Sequence, residues 1–322
     1  MIRYNEIKHV RLEISTRCNA ACPLCPRNLC GVDIIDDFPL RDMRLSEAQS
    51  IFPVPFIKQL TSLNIDGNLG DIVTARDGLE IVRYFRNANP SLNIIIGTNA
   101  SAKTSDWWVE LAKLRVRIIF CLDGLKGTHE LYRRQTNWDT VIKNARAFID
   151  AGGIATWKMI LFDHNKHQVN ECRELSKQLG FYFFDLQDHG RNQTPVFDQK
   201  QIYLYNIGSH PSSKDFNEIL KIRKESEFDT QQQETTDKTI SCETVTKKSI
   251  FVTATGEVYP CCYTAFYPRT MMHYANNEIR NLLPETNNAL EIGIESSIEW
   301  FNKIEESWSS KPIHHCTRYC TN

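Results

Sequence analysis

Between residues 10 and 186, short apolar runs alternate with longer stretches in which apolar residues recur every three or four positions. A period of two marks a strand with one buried face, and a period near 3.6 an amphipathic helix. The short runs predict strands at residues 10–14, 62–65, 92–97, 116–121, 154–161 and 181–186. The longer stretches predict the helices between them. Ser46 with Gln49 reads as a capping box ahead of Ile51. Leu79, Ile81, Val82 and Phe85 stripe a second helix, and Trp107, Trp108, Leu111 and Leu114 a third. A fourth runs from Trp138 to Ala151 and stops at Gly152-Gly153; a fifth runs from His167 to Leu179, with Gly180 beyond it.

Six strands alternating with helices predict an α/β fold of parallel βα units. Six is short of the eight that close a full barrel, so the expected architecture is an open, partial (βα)6 barrel over residues 1–205. Its chemistry is expected on the loops that leave the C-terminal ends of the strands. The pattern then weakens. Residues 206–240, with the run Gln231-Gln232-Gln233-Glu234-Thr235-Thr236-Asp237, read as a linker. Cysteines return after Ser241, and residues 241–322 read as a smaller second domain.

Composition narrows the function. A hydrophobic fraction of 41% over 322 residues suits a folded chain, and a net charge of −1 offers no field for polyanions, so nucleic acid is not expected as the main partner. An RNA-modifying enzyme would need a basic face. Met1 to Lys8 lacks the apolar core of a signal peptide, and no apolar run is long enough to span a bilayer. Eleven cysteines in such a chain point to metal or cluster ligands in a reducing compartment, with the cytoplasm as the expected location.

The most specific chemistry is Cys18-Asn19-Ala20-Ala21-Cys22-Pro23-Leu24-Cys25, directly after the first strand. Three thiolates in C-x3-C-x2-C spacing can hold three irons of a [4Fe–4S] cluster and leave the fourth iron open. A structural zinc site would want four ligands, with Cys30 the only nearby fourth. Cys121 and Asp123 share a face at the end of the fourth strand, so both can enter the barrel mouth. A thiol there is a candidate hydrogen-atom donor, or simply a small buried hydrophobe. Lys158, Asp185, Asp188, His189 and Arg191 lie at strand ends or in the loop beyond and are candidate substrate-facing residues; of these, Lys158, Asp185 and Arg191 are carried forward as candidate catalytic positions.

The cysteine motif resembles the signature of the radical SAM superfamily. Further pieces fall in register with it. Asp66-Gly67-Asn68-Leu69-Gly70-Asp71 stands where the family has a Gly-Gly-Glu-type loop, with Ile72 in place of the usual proline. Gly97-Thr98-Asn99-Ala100-Ser101 resembles a Thr-Asn-Gly turn with alanine for glycine, and Cys121-Leu122-Asp123-Gly124 resembles Ser-Leu-Asp-Gly with cysteine for serine. Leu24 replaces the aromatic or methionine that usually precedes the third cysteine. The resemblance implies that Leu24, Gly70, Asp71, Asn99, Ser101, Cys121, Asp123 and Arg134 contact S-adenosylmethionine (SAM), with Arg133 or Arg134 pairing with its carboxylate.

Cys242, the stretch Gly256-Glu257-Val258-Tyr259-Pro260-Cys261-Cys262 and the terminal Cys316-Thr317-Arg318-Tyr319-Cys320 resemble the SPASM/Twitch subgroup. The resemblance implies a small Twitch-like iron–sulfur domain with an auxiliary [4Fe–4S] cluster on Cys242, Cys261, Cys316 and Cys320. Structural zinc on the same thiols is the alternative, as is Cys262 in place of Cys261. His314 and His315 read as a surface pair.

The implied activity is reductive cleavage of SAM to a 5′-deoxyadenosyl radical and abstraction of a substrate hydrogen. Oxidation of a small molecule is the favoured outcome, with the auxiliary cluster as electron acceptor and a flavodoxin- or ferredoxin-type donor. The alternatives are a peptide-modifying maturase working with a partner, and a non-catalytic iron–sulfur electron carrier or redox sensor.

Overall fold

The computed structural model describes residues 2–33, 40–188, 194–208, 213–226, 240–265, 279, 281–310, 312–313, 316–317 and 320–321, the side chains of 222–226 excepted. Its strands are β1 (His9–Leu12), β2 (Asn28–Leu29), β3 (Val32–Asp33), β4 (Ser62–Ile65), β5 (Asn93–Thr98), β6 (Arg117–Cys121), β7 (Ile154–Ile160), β8 (Phe183–Gln187), β9 (Thr194–Phe197), β10 (Tyr203–Ile207), β11 (Ser249–Val252) and β12 (Val258–Tyr259). Eight of them form one sheet in the order β12-β11-β1-β4-β5-β6-β7-β8. The six expected strands are β1 and β4 to β8, and every pairing among them is parallel, as βα units require.

Burial alternates along each strand and separates the two faces of the sheet. Leu63, Ile65, Ile94, Ile96, Ile118, Phe120, Ala155 and Trp157 are fully buried toward the helices. The intervening Asn64, Ile95, Gly97, Ile119, Cys121 and Lys158 line the concave face and keep partial exposure to a cavity. Helices Gly78–Ala88, Ser105–Lys113, Trp138–Asp150 and Val169–Gln178 supply the outer layer. Trp108 packs on Phe120 with ring centroids 5.5 Å apart. Each large side chain buried in this way contributes about 1.5–3 kcal/mol. Gly152 (φ 87°) and Gly180 (φ 83°) end two of these helices in the left-handed conformation.

Two local readings need correction. The first helix is Leu45–Ile51, and its cap is not the Ser46/Gln49 pair. The Arg44 backbone N–H donates to Glu47 Oε2 (2.7 Å), while Met43 N–H donates to the Ile14 carbonyl and Leu45 N–H to Asp77 Oδ2 (3.0 Å). These anchors start the helix before Ser46. The weak pattern after residue 186 contains an antiparallel hairpin, β9–β10, and the helix Phe216–Ser226; the hairpin's inward residues Val196, Phe197 and Ile207 are buried.

The sheet also continues across the expected boundary at residue 240. β11 pairs parallel with β1, from His9 opposite Ser249 to Leu12 opposite Val252, and β12 adds antiparallel beyond it. Gly256 (φ 97°) makes the turn between them. The strand that leads into the first cysteine loop therefore has neighbours on both sides.

Candidate active site

The segment after β1 is held at several points before it reaches the cysteines. Arg27 is buried; it donates to the Thr16 carbonyl and pairs with Asp33 (2.8 Å). Cys25 N–H donates to the Cys22 carbonyl (3.1 Å), and Ala21 N–H to the Arg134 carbonyl (2.9 Å). The loop sets Cys18, Cys22 and Cys25 on the wall of a cavity of about 330 Å³ at the C-terminal ends of the strands.

Burial, reinforced by the neighbouring thiols, pushes the Cys18 thiol well up and the Cys25 thiol up to about 12; burial also raises Cys22. Polar hydrogens are nevertheless aimed at the sulfurs. Ala20 N–H lies 3.4 Å and Asn99 Nδ2 3.6 Å from Cys18 Sγ, and Arg133 Nη1 3.8 Å from Cys22 Sγ. Three soft donors in a desolvated wall, with N–H groups ready for negative sulfur, fit an iron–sulfur cluster, whose positive irons reverse the burial penalty on thiolates. Among the described residues no group of three His, Cys, Asp or Glu side chains is set to hold a single metal ion.

The loop after β4 closes the next side of the cavity. Gly70 packs so tightly that a Cβ there would lie 1.8 Å from the Ser15 carbonyl oxygen, and one on Gly67 would lie 2.4 Å from that of Gly70. Only glycine permits this approach. Beneath it is Glu13, fully buried, whose Oε1 accepts from Leu69 N–H (2.6 Å) and Gly70 N–H (3.3 Å). Sequence reasoning passed over Glu13 as the polar member of an alternating strand. The signal that marks it is a carboxylate on a strand buried from both sides.

Asp71 lies on the cavity wall, but its carboxylate is turned to the backbone. It accepts from Val73 N–H (3.1 Å), the Thr98 hydroxyl (2.6 Å) and Asn99 N–H (2.7 Å), tying the loop after β4 to the loop after β5. Burial raises its pKa against those three bonds. Asn99 reaches the cavity and bonds Asn19 as well as Cys18. Ser101 stands away from the cavity, with its hydroxyl accepting from Asn137 N–H (2.8 Å).

At the end of β6, Cys121 lines the cavity while Asp123 is fully buried behind it. Asp123 pairs with Arg133 Nε (2.6 Å) and accepts from Ile160 N–H (2.6 Å). The arginine at the cavity is thus Arg133; the Arg134 guanidinium lies over the Tyr205 ring, 6.0 Å from its centroid. Consecutive side chains on this turn diverge, and buried Asp123 captures the first of the pair. His129, buried beside Asp123, accepts from the Asp123 N–H at Nδ1 (3.1 Å), with Nε2 3.1 Å from the Thr136 hydroxyl. Burial lowers its pKa to about 3.

Leu24 and Lys158 line the same cavity, as do Ile95, Ile119 and Ile160. Asp185 sits opposite Lys158 in register but bonds Gln187 (2.5 Å) and is not part of the wall. Arg191 and His189 fall outside the described residues, as do His314 and His315.

The C-terminal thiols gather around a second point. Cys242 precedes the helix Glu243–Lys247, Ser241 N–H donates to the Cys320 carbonyl (2.6 Å), and Cys320 N–H to that of Cys316 (3.1 Å). A hydrogen bond from the Cys320 thiol holds the Cys242 thiol below its ordinary range. Cys242, Cys316 and Cys261 all act electrostatically on Cys320. Cys262 points elsewhere: its sulfur accepts from Arg11 Nη1 (3.1 Å) and its carbonyl from Asn68 (3.0 Å). Arg11 in turn pairs with Asp66 (2.6 Å) on the cavity wall.

No protein-family model matches the sequence, and no curated protein sequence matches it. Solved structures do match the fold. Streptococcus suis SuiB bound to S-adenosylmethionine is 12% identical, covering 97% of this chain and 68% of SuiB with a TM-score of 0.56. SuiB bound to its precursor peptide SuiA superposes as well, at 12% identity over 97% of this chain and 67% of that one, also with a TM-score of 0.56. Native anSMEcpe with bound AdoMet is 15% identical, covering 90% of this chain and 80% of that one with a TM-score of 0.55. These are radical SAM enzymes with SPASM/Twitch-type members among them, and the chain described here has their fold.

Proposed function

We propose that the chain is a radical SAM enzyme that abstracts hydrogen from a substrate held on the β6–β7 side of the cavity. The observation that carries this reading is the convergence of three thiols, the Gly67–Gly70 loop and Arg133 on one cavity in a fold of this kind. When bound, the N-terminal cluster and SAM supply reductive cleavage to a 5′-deoxyadenosyl radical, and an auxiliary cluster supplies an acceptor for the electron of an oxidised substrate.

The chain's own part is to bind, orient and exclude water. Cys18, Cys22 and Cys25 hold the first cluster. Arg133, fixed by Asp123, meets the SAM carboxylate, a charge-assisted pairing that suits a guanidinium. Glu13 and Asp71 act through the backbone: one braces the glycine loop and the other joins it to Asn99. Leu24, Ile95, Ile119 and Ile160 make the apolar part of the wall. Cys242, Cys261, Cys316 and Cys320 would hold the auxiliary cluster, which would take up the one electron that remains to be removed after hydrogen abstraction.

The test is 5′-deoxyadenosine formation by anaerobically reconstituted protein with dithionite and SAM, beside the Cys18/Cys22/Cys25→Ala triple variant. Product from the wild type alone supports the reading. Failure of cluster-loaded wild type to bind SAM at all refutes it and leaves the electron carrier. A small-molecule substrate is the first reading. A peptide substrate is the second, favoured by the structures of SuiB with SuiA and of anSMEcpe with the Cp18Cys peptide. Enhancement of SAM cleavage by one class of compound and not the other decides between them.

A further inference from the structure

Four charged side chains line the cavity: Asp66, Asp71, Arg133 and Lys158. Asp66 is paired with Arg11 at 2.6 Å and Arg133 with Asp123 at 2.6 Å. Asp71 is answered by three hydrogen bonds. Lys158 alone has no such answer, for its ammonium makes no hydrogen bond or ion pair with any described residue. Even Asp185, its neighbour in register on β8, bonds Gln187 instead.

The position of Lys158 adds a direction. Lys158 lies on β7 beside Cys121 of β6 in register, and Ile119 and Ile160 of the same two strands line the wall with it. An ammonium that faces a cavity with no acidic partner of its own is placed to pair with an anion that enters there.

We propose that Lys158 receives an anionic group of the substrate, a carboxylate or a phosphate, and so sets the substrate class of the enzyme. This rests on the radical SAM reading, in which Arg133 has already taken the SAM carboxylate. Lysine suits the task because a compact ammonium on a flexible stem accepts either anion without demanding one planar geometry.

The experiment is competitive acetylation of the SAM-loaded holoprotein with N-hydroxysuccinimidyl acetate, read per lysine by peptide mass spectrometry. Exposed Lys113, Lys126 and Lys177 serve as internal references. Inorganic phosphate and succinate are the two probes, with sodium chloride at matched ionic strength as control. The expected result is at least threefold protection of Lys158, relative to the references, by one or both probes. Phosphate alone assigns a phosphorylated substrate, succinate alone a carboxylate. In calorimetry, Lys158→Gln should lose binding of the protecting anion at least threefold while SAM affinity stays within twofold, and Lys158→Arg should restore it. No protection by either probe overturns the proposal, as does protection by SAM alone with a matching loss of SAM affinity in Lys158→Gln. Failure of the underlying reading is seen separately, as absent SAM binding by the wild type.

Discussion

Gly70→Ala tests how the cavity is built. The added Cβ would lie 1.8 Å from the Ser15 carbonyl oxygen and 2.9 Å from that of Arg17. Both neighbours are backbone, so no side chain can swing aside. The two segments must part by about 1.2 Å before the nearer contact opens to 3.0 Å. The segment that moves is residues 15–17, which leads into Cys18, and it is cross-tied to the glycine loop by Asp71 N–H on the Arg17 carbonyl (2.9 Å). Overpacking of this kind costs about 1–3 kcal/mol. At the few degrees per kcal/mol typical of larger domains, the apo melting midpoint should fall by roughly 3–8 °C. A shift of about an ångström at a catalytic group costs on the order of 100-fold in rate, so 5′-deoxyadenosine formation should fall further than stability does. Gly97→Ala is the control: its Cβ would meet only Asp66 Cβ at 3.6 Å, an ordinary contact, and its melting midpoint should stay near wild type. Calorimetric melting of the apo forms and iron content after reconstitution give the readouts. A Gly70→Ala protein with wild-type midpoint and full iron content would refute the argument that backbone contact sets the position of Cys18.

Other outcomes follow from buried charge and from the cysteines. Arg133→Met leaves the Asp123 carboxyl without its ion-pair partner in a fully buried site, so urea denaturation should show a loss of about 3–5 kcal/mol, and Asp123→Asn in the same chain should recover part of it. His129 has a folded pKa of about 3 against 6.5 when unfolded, so within that window only the unfolded chain takes up the proton. Its contribution is full above pH 6.5 and falls as pH drops; the melting midpoint of wild type should decline from neutral toward about pH 5 more steeply than that of His129→Gln. Observation of a His129 ring titrating near 6.5 by NMR would contradict this. On the proposed two-cluster reading, Cys261→Ser should cut iron from about eight to about four per chain, whereas Cys262→Ser should leave the iron content unchanged, as counted by iron analysis and Mössbauer spectra.

The legible features were those in which neighbouring residues act together. The C-x3-C-x2-C loop, the six alternating strands and the glycine helix stops are local patterns, and each stands where its spacing placed it. Pairs of equivalent residues were not separable by pattern: Arg133 and Arg134 differ only in which one buried Asp123 captures, and Cys261 and Cys262 only in which way a turn sends them. Glu13 escaped, and Asp71 was singled out without its backbone partners, for a related reason. Both carboxylates bond backbone N–H groups, and main-chain partners leave no trace in residue type. The pairing of β11 with β1 joins residues 240 positions apart, beyond the reach of any periodicity.

That pairing has a consequence for how the chain is made. During synthesis, β1 finds β4 within some fifty residues, yet its other edge stays open until Ser249–Val252 has emerged from the ribosome. Nascent chains therefore carry an unpaired edge of His9–Leu12 right beside the three thiols throughout that interval, and open edges invite pairing with the wrong chain. A chain cut after residue 205 would keep that edge permanently.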